Sequence, residues 1–196
     1  RSAMMPHSTE PTVVPASAPV YIAIDSDTDS AQWHTLEELS LHFPDRKGAI
    51  DSLEGQLRAG GLDFEQDVQP ALGREVDVTW LDLDGGGSNA VVLVQPDDED
   101  ALDRLIEKSA EDRPDDRLYA GEVGGWHVIA ERQALVDRFV RESEAAEEKL
   151  ADDGAYQKAM GAVSEESLVK AYVGGRQVMD AIRLQGGQQA GDVLEI

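Results

Sequence analysis

The sequence predicts an α+β fold: an antiparallel sheet of about five to six strands with helices packed mainly on one face. Two observations carry this. Strand-like runs occur twice as adjacent pairs around glycine turns, residues 75–83 with 90–94 and 118–123 with 126–130, which is how hairpins and therefore antiparallel neighbours are written in sequence. Helical stripes fall between and beside those pairs, giving the order strand, helices, two strands, helix, two strands, helices, strand. Such an order also permits a ferredoxin-like split βαβ unit inside the sheet.

Each element has a local reason. Val20-Tyr21-Ile22-Ala23-Ile24 is a β-rich run bounded by Pro19 and an Asp/Ser cluster, which makes it the first strand. Trp33, Leu36, Leu39 and Phe43 recur at helical spacing behind the caps Asp29 and Ser30, and Pro44 closes that helix. Ile50, Leu53 and Leu57 share one face of a second helix, which Gly60-Gly61 ends. Residues 62–72 predict a short helical turn interrupted by Pro70. Along residues 75–83 the alternation places Val76, Val78 and Trp80 on one face, whereas Leu81 and Leu83 fall on the other. The loop Asp84-Gly85-Gly86-Gly87-Ser88-Asn89 leads into the apolar strand Ala90-Val91-Val92-Leu93-Val94, which Pro96 ends.

Asp97-Asp98-Glu99-Asp100 set carboxylates in the first turn of a helix carrying Leu102, Leu105 and Ile106, where negative charge complements the helix dipole. Gly124-Gly125 joins the second strand pair. Leu135, Val136, Phe139 and Val140 make the next helical stripe, and Asp152 or Asp153 caps a helix through Tyr156, Met160 and Val163. Residues 168–173 predict the last strand and 178–184 the last helix.

Composition excludes several function classes. Forty acids against seventeen Lys and Arg give 196 residues a net charge of -23, which repels nucleic-acid phosphates and anionic lipid. With no cysteine there are no disulfides, no thiolate catalysis and no sulfur-based zinc site. No apolar run reaches the roughly 18 residues that span a bilayer. Residues 6–19 are rich in Pro, Ser, Thr and Ala without periodicity, the composition of a flexible tether, and Arg1-Ser2-Ala3-Met4-Met5 has the character of an expression remnant with an anchor lost upstream. The expected division is therefore 1–19 tether or remnant, 20–185 one α+β domain, and 186–196 a tail truncated from a longer chain.

Several segments together carry a resemblance. Val14-Pro15-Ala16-Ser17-Ala18-Pro19-Val20-Tyr21, Ala71-Leu72-Gly73-Arg74-Glu75-Val76, Gly125-Trp126-His127-Val128-Ile129-Ala130, Leu150-Ala151-Asp152-Asp153-Gly154-Ala155-Tyr156 and Ala171-Tyr172-Val173 resemble the bacterial domain-of-unknown-function family numbered thirty-three fifty-two. The resemblance spans most of residues 14–182. It implies an extracytoplasmic fragment of a longer envelope protein with an amino-terminal membrane or lipid anchor, and it brings no catalytic residues.

Asp25-Ser26-Asp27-Thr28-Asp29 spaces three carboxylates as the first half of a calcium loop does, yet Ser30 replaces the turn glycine and the twelfth position is Leu36, with Glu37 one place late. A strand end followed by a helix cap explains the same residues. Asp82-Leu83-Asp84 offers a similar possibility. His34, Glu38 and His42 recur every fourth residue, but residues eight apart on a helix are about 12 Å apart along its axis, too far to share one ion. Gly85-Gly86-Gly87-Ser88 lacks the helix and lysine of a phosphate loop, and is expected to be a hairpin turn. Ser88, Ser164, Ser167 and His127 have no nucleophile-elbow context, and Trp80 and Trp126 are expected in the core or on a sheet face.

The expectation is a non-catalytic envelope module that binds a protein, polymer or small ligand, with neither catalytic residues nor a cofactor. Its rivals are a hydrolase whose acids Asp25, Asp27, Asp82 and Asp84 converge only in three dimensions, and a calcium-dependent adhesion or stability module using Asp25, Asp27 and Asp29.

Overall fold

Six strands form one open, wholly antiparallel sheet: β1 (Val20–Asp25), β2 (Glu75–Trp80), β3 (Ala90–Val94), β4 (Tyr119–Val123), β5 (Trp126–Ala130) and β6 (Val169–Val173), in the order β4-β5-β3-β2-β1-β6. The computed structural model describes residues 11–40, 55, 62–84, 88–112, 117–164 and 166–179, with the backbone alone at 36–40, 111 and 112. The class and the two hairpins are those expected. Gly124 and Gly125 have φ of 58° and 82°, so both central residues of the β4–β5 turn take the left-handed conformation that matches strand twist. Because β5 lies antiparallel between β3 and β4, those two strands run parallel, and the helix joining them completes a split βαβ unit.

Among the described residues are the helices α1 (Ala31–Ser40), α2 (Gln69–Leu72), α3 (Glu99–Asp112), α4 (Gln133–Ala145) and α5 (Gly154–Met160); residues 175–179 are helical too, and a single π-helical turn, Phe64–Val68, leads into α2. Pro70 falls in the first turn of α2, where its missing N–H costs nothing, so it starts the helix instead of interrupting it. Ser30 caps α1 by accepting from Trp33 N–H at 3.4 Å, and Asp153 caps α5 by accepting from Tyr156 N–H at 2.8 Å. Of the predicted helix over residues 50–57 only residue 55, which is helical, is described; the predicted last helix is described, and helical, as far as residue 179; and the turn glycines Gly85 to Gly87 lie outside the described residues.

Helices cover both faces, not mainly one. The larger core lies on the face that α4 and α5 cover, where Tyr21, Val91, Leu93, Trp126, Val128 and Tyr172 meet Leu135, Val136 and Phe139. The smaller one lies on the opposite face, where Val94 and Ile129 meet Ala71 of α2 and Ala101 and Leu102 of α3. Alternation along β3 makes this possible, since Leu93 points to one core and Val94 to the other and both are fully buried.

The tether expectation fails for residues 11–19. Val14 is fully buried and Val13 and Ala18 nearly so, all within the larger core. The backbone is held as well: Leu150 N–H donates to Val14 O at 2.8 Å, Ala16 N–H to Glu148 O at 3.1 Å and the Ser143 hydroxyl to Val13 O at 2.6 Å. Val13, Val14 and Ala18 supply enough apolar surface to order a stretch whose Pro and Ser content resembles a linker.

Candidate functional site

The acids proposed from sequence do not converge. Asp25 ends β1 opposite Glu75, while Val20 pairs with Trp80, so Asp82 lies beyond the other end of the same strand pair, on the order of 20 Å from Asp25. The Asp25 carboxylate accepts from Asp27 N–H at 2.9 Å and that of Asp27 from Asp29 N–H at 3.1 Å. These are local turns that lead the strand into α1, with each acid folded back on the chain instead of aimed at a common centre. Among the described residues no group of three His, Asp or Glu side chains is placed to hold a metal ion.

Asp82 organises the β2–β3 connection. It accepts from Asp84 N–H at 2.9 Å, from the Asn89 amide at 2.6 Å and from Arg138 of α4 at 2.5 Å. Those donors hold its carboxyl below the usual range against the opposing pull of partial burial. Arg132 adds contacts at 2.8 Å to Ser88 O and to the Asn89 side-chain oxygen, so the acid and the two arginines tie this loop to α4.

The remaining sequence candidates are dispersed. His34 is exposed on α1, and the side chains of Glu38 and His42 lie outside the described residues. His127 faces Glu122 across the β4–β5 pair, remote in the sheet from the Ser164 and Ser167 turn before β6. Trp126 is a core residue, and Trp80 is half-buried on the α3 face.

Two features were not anticipated. The first is a buried polar pair under α5. Tyr21 Oη donates to Asp77 Oδ2 at 2.8 Å, and Asp77 is fully buried on a β2 face that also carries the half-buried Glu75 and the buried Thr79, with buried Leu81 just past the strand end. Burial, reinforced by the charge of Glu75 and only partly offset by the Tyr21 bond, pushes the Asp77 carboxyl up to about 8, and burial likewise pushes the Tyr21 hydroxyl far above its ordinary range. Asp77 is therefore a neutral acid at pH 7. Tyr156 of α5 stands edge-on to both Tyr21 and Tyr172, with centroids 5.9 and 5.2 Å away, and closes the pair from solvent.

The second is the outer edge of β6. Asp25 N–H donates to Leu168 O at 2.9 Å and Gly174 N–H to Pro19 O at 2.8 Å, which fixes the parity of the β1–β6 ladder. Lys170 and Tyr172 therefore turn their backbone groups toward β1, and Val169, Ala171 and Val173 turn theirs outward. The side chains of those same three residues stand on the α3 face and are exposed, Val169 by 54% and Val173 by 59%. They continue an apolar surface that is buried at β3 (Val94), half-buried at β1 (Val20, Ile22, Ile24) and bare at β6. Among the described residues no strand lies beyond β6.

The other edge strand is different. β4 carries the exposed acid Glu122 and is covered by α4, where Val136 approaches Gly121 so closely that a Cβ on Gly121 would lie 2.6 Å from the Val136 methyl. Charge, which guards edge strands in natural sheets, is missing from the outward row of β6; its one charged residue, Lys170, is on the opposite face.

No protein-family model, no curated protein and no solved structure matches this chain.

Proposed function

We propose that this chain is a non-catalytic binding module of the extracytoplasmic envelope, and that it binds a protein partner by accepting an extended segment as a seventh strand on β6. The observation that carries the reading is the β6 edge, where three outward backbone positions coincide with three exposed apolar side chains. Strand addition takes affinity from main-chain hydrogen bonds and specificity from alternate side chains, and both halves of that requirement meet at Val169, Ala171 and Val173. The envelope location rests on the family resemblance.

Amide hydrogen exchange tests the proposal. Capped peptides alternating valine with lysine should slow exchange at Val169, Ala171 and Val173, while Lys170 and Tyr172, already bonded to β1, change little. Ala171→Pro removes an outward N–H and leaves the β1 ladder intact, so it should abolish the effect in a folded protein. Unchanged exchange at all three amides in saturating peptide would sink the reading.

A further inference from the structure

We infer that the strand β6 accepts is the β6 of a second copy of this chain, paired antiparallel about Ala171. The inference rests on the binding reading above and names its partner. Outward backbone groups occur at 169, 171 and 173, which are symmetric about 171. A two-fold axis at Ala171 therefore sets Val169 opposite Val173 of the copy and Ala171 opposite Ala171. Each of these is a hydrogen-bonded pair, so every outward N–H finds an outward carbonyl. A centre one residue away, at Lys170 or Tyr172, still opposes outward groups to outward ones but pairs only two of the three positions within the strand, and at Lys170 it sets that lysine opposite its own copy; a centre between two residues opposes outward groups to inward ones and forms no ladder.

The side chains agree with this register. On the α3 face Val169 and Val173 of the two chains become cross-strand neighbours, and the apolar surface of β1, bare beyond β6 in one chain, continues into its copy. On the other face Lys170 stands opposite Tyr172 of the copy, whose ring is buried beneath Tyr156, so no like charge lies across from it. Within the strand, then, nothing in this acidic chain opposes self-pairing; the opposition comes from the net charge of -23 on each copy. That repulsion is long-ranged and screened by salt, whereas the strand contacts are not, so association should strengthen as ionic strength rises.

Sedimentation equilibrium on the whole chain tests this through a charge pattern that only the proposed register produces. In about 0.3 M sodium chloride, with the Debye length near 6 Å, the wild type should approach twice the 21.2 kDa of one chain, and at low salt it should dissociate. The double variant V169K/V173K sets like charges opposite each other at both ends of the strand and should be a monomer. V169K/V173E sets opposite charges against each other across the same axis and should restore the dimer. Circular dichroism of both variants separates lost pairing from lost folding, and if V169K/V173K does not fold, Ala171→Pro takes its place as the monomeric control.

A wild type that stays monomeric at about 100 μM in high salt overturns the inference, as does a dimer that V169K/V173K leaves intact. The first result with β6 amides still protected by peptides would retain the binding reading and discard only its partner. If neither self-association nor peptide protection occurs, both fall.

Discussion

Replacing Asp77 by Asn should make the protein more stable at neutral pH and leave it unchanged in acid. The folded state holds the Asp77 proton up to about 8, whereas the unfolded chain releases it near the ordinary value of 3.8. Between those limits the folded state binds more protons than the unfolded one, so the Asp77 contribution to stability is full below 3.8 and declines as pH rises toward about 8. At about 1.4 kcal/mol per pH unit the decline reaches about 4 kcal/mol by pH 7, an upper bound because water entry and relaxation soften buried charge. Asparagine copies the shape and neutrality of the protonated acid and cannot ionise, so the variant escapes the decline. Urea unfolding of both proteins from pH 4 to pH 9 gives the difference directly, with the other carboxylates common to both and cancelling. The variant should equal wild type near pH 4 and exceed it progressively above pH 5. A difference independent of pH, or a wild type that gains on the variant as pH rises, would show that Asp77 is ionised in the fold and refute the argument.

Three further outcomes follow from the same contacts. Thermal stability should rise with sodium chloride as the charge of -23 is screened, and calcium should add nothing beyond magnesium at matched ionic strength, because the Asp25 and Asp27 carboxylates already accept from backbone amides; a calcium-specific gain abolished by Asp27→Asn would overturn this. Gly73→Ala should cost about 2–4 kcal/mol in urea unfolding, since Gly73 has φ of 70° and a Cβ there would lie 1.9 Å from the Gln95 carbonyl oxygen; a loss under about 0.5 kcal/mol would contradict that geometry. Ser143→Ala should cost about 1–2 kcal/mol and open residues 11–19 to limited proteolysis before the strands, because the Ser143 hydroxyl bonds Val13 O in the core; equal protease resistance in variant and wild type would show that the strap is held without it.

Elements written in local chemistry were legible. The Gly124-Gly125 turn, the Asp153 cap and the Leu135, Val136, Phe139 stripe each depend on residues within a few positions of one another, and each stands where the spacing puts it. What failed was long-range. On β2 the alternation favours Val76, Val78 and Trp80 as the inward row, yet Asp77 and Thr79 are the more deeply buried. Their partners come from β1: Tyr21, 56 residues away, and the Val20 carbonyl, to which Thr79 donates at 2.9 Å. A buried acid is tolerated where a donor meets it and its proton stays on, and neither condition shows in the residues around it. Leu81, sharing parity with Asp77 and Thr79, was the one local sign that this row faces a core.

The two edges of the sheet differ in the same long-range way. That residues 168–173 form a strand follows from their β-rich composition, but that the strand ends the sheet follows only from β1 choosing β2 and β6 as neighbours. Once the order is known, the sequence of β6 acquires a meaning it lacked. A buried central strand with Val169, Ala171 and Val173 on one face would be ordinary, whereas an edge strand with the same residues exposes apolar side chains beside backbone groups that no strand among the described residues pairs, the combination that natural sheets suppress with charge or proline. In a chain with 29% charged residues such a row is conspicuous by its position and not by its composition. Solubility alone would favour a carboxylate there, as β4 has in Glu122, and an edge kept apolar in so acidic a protein is the surface that the proposed strand addition would cover.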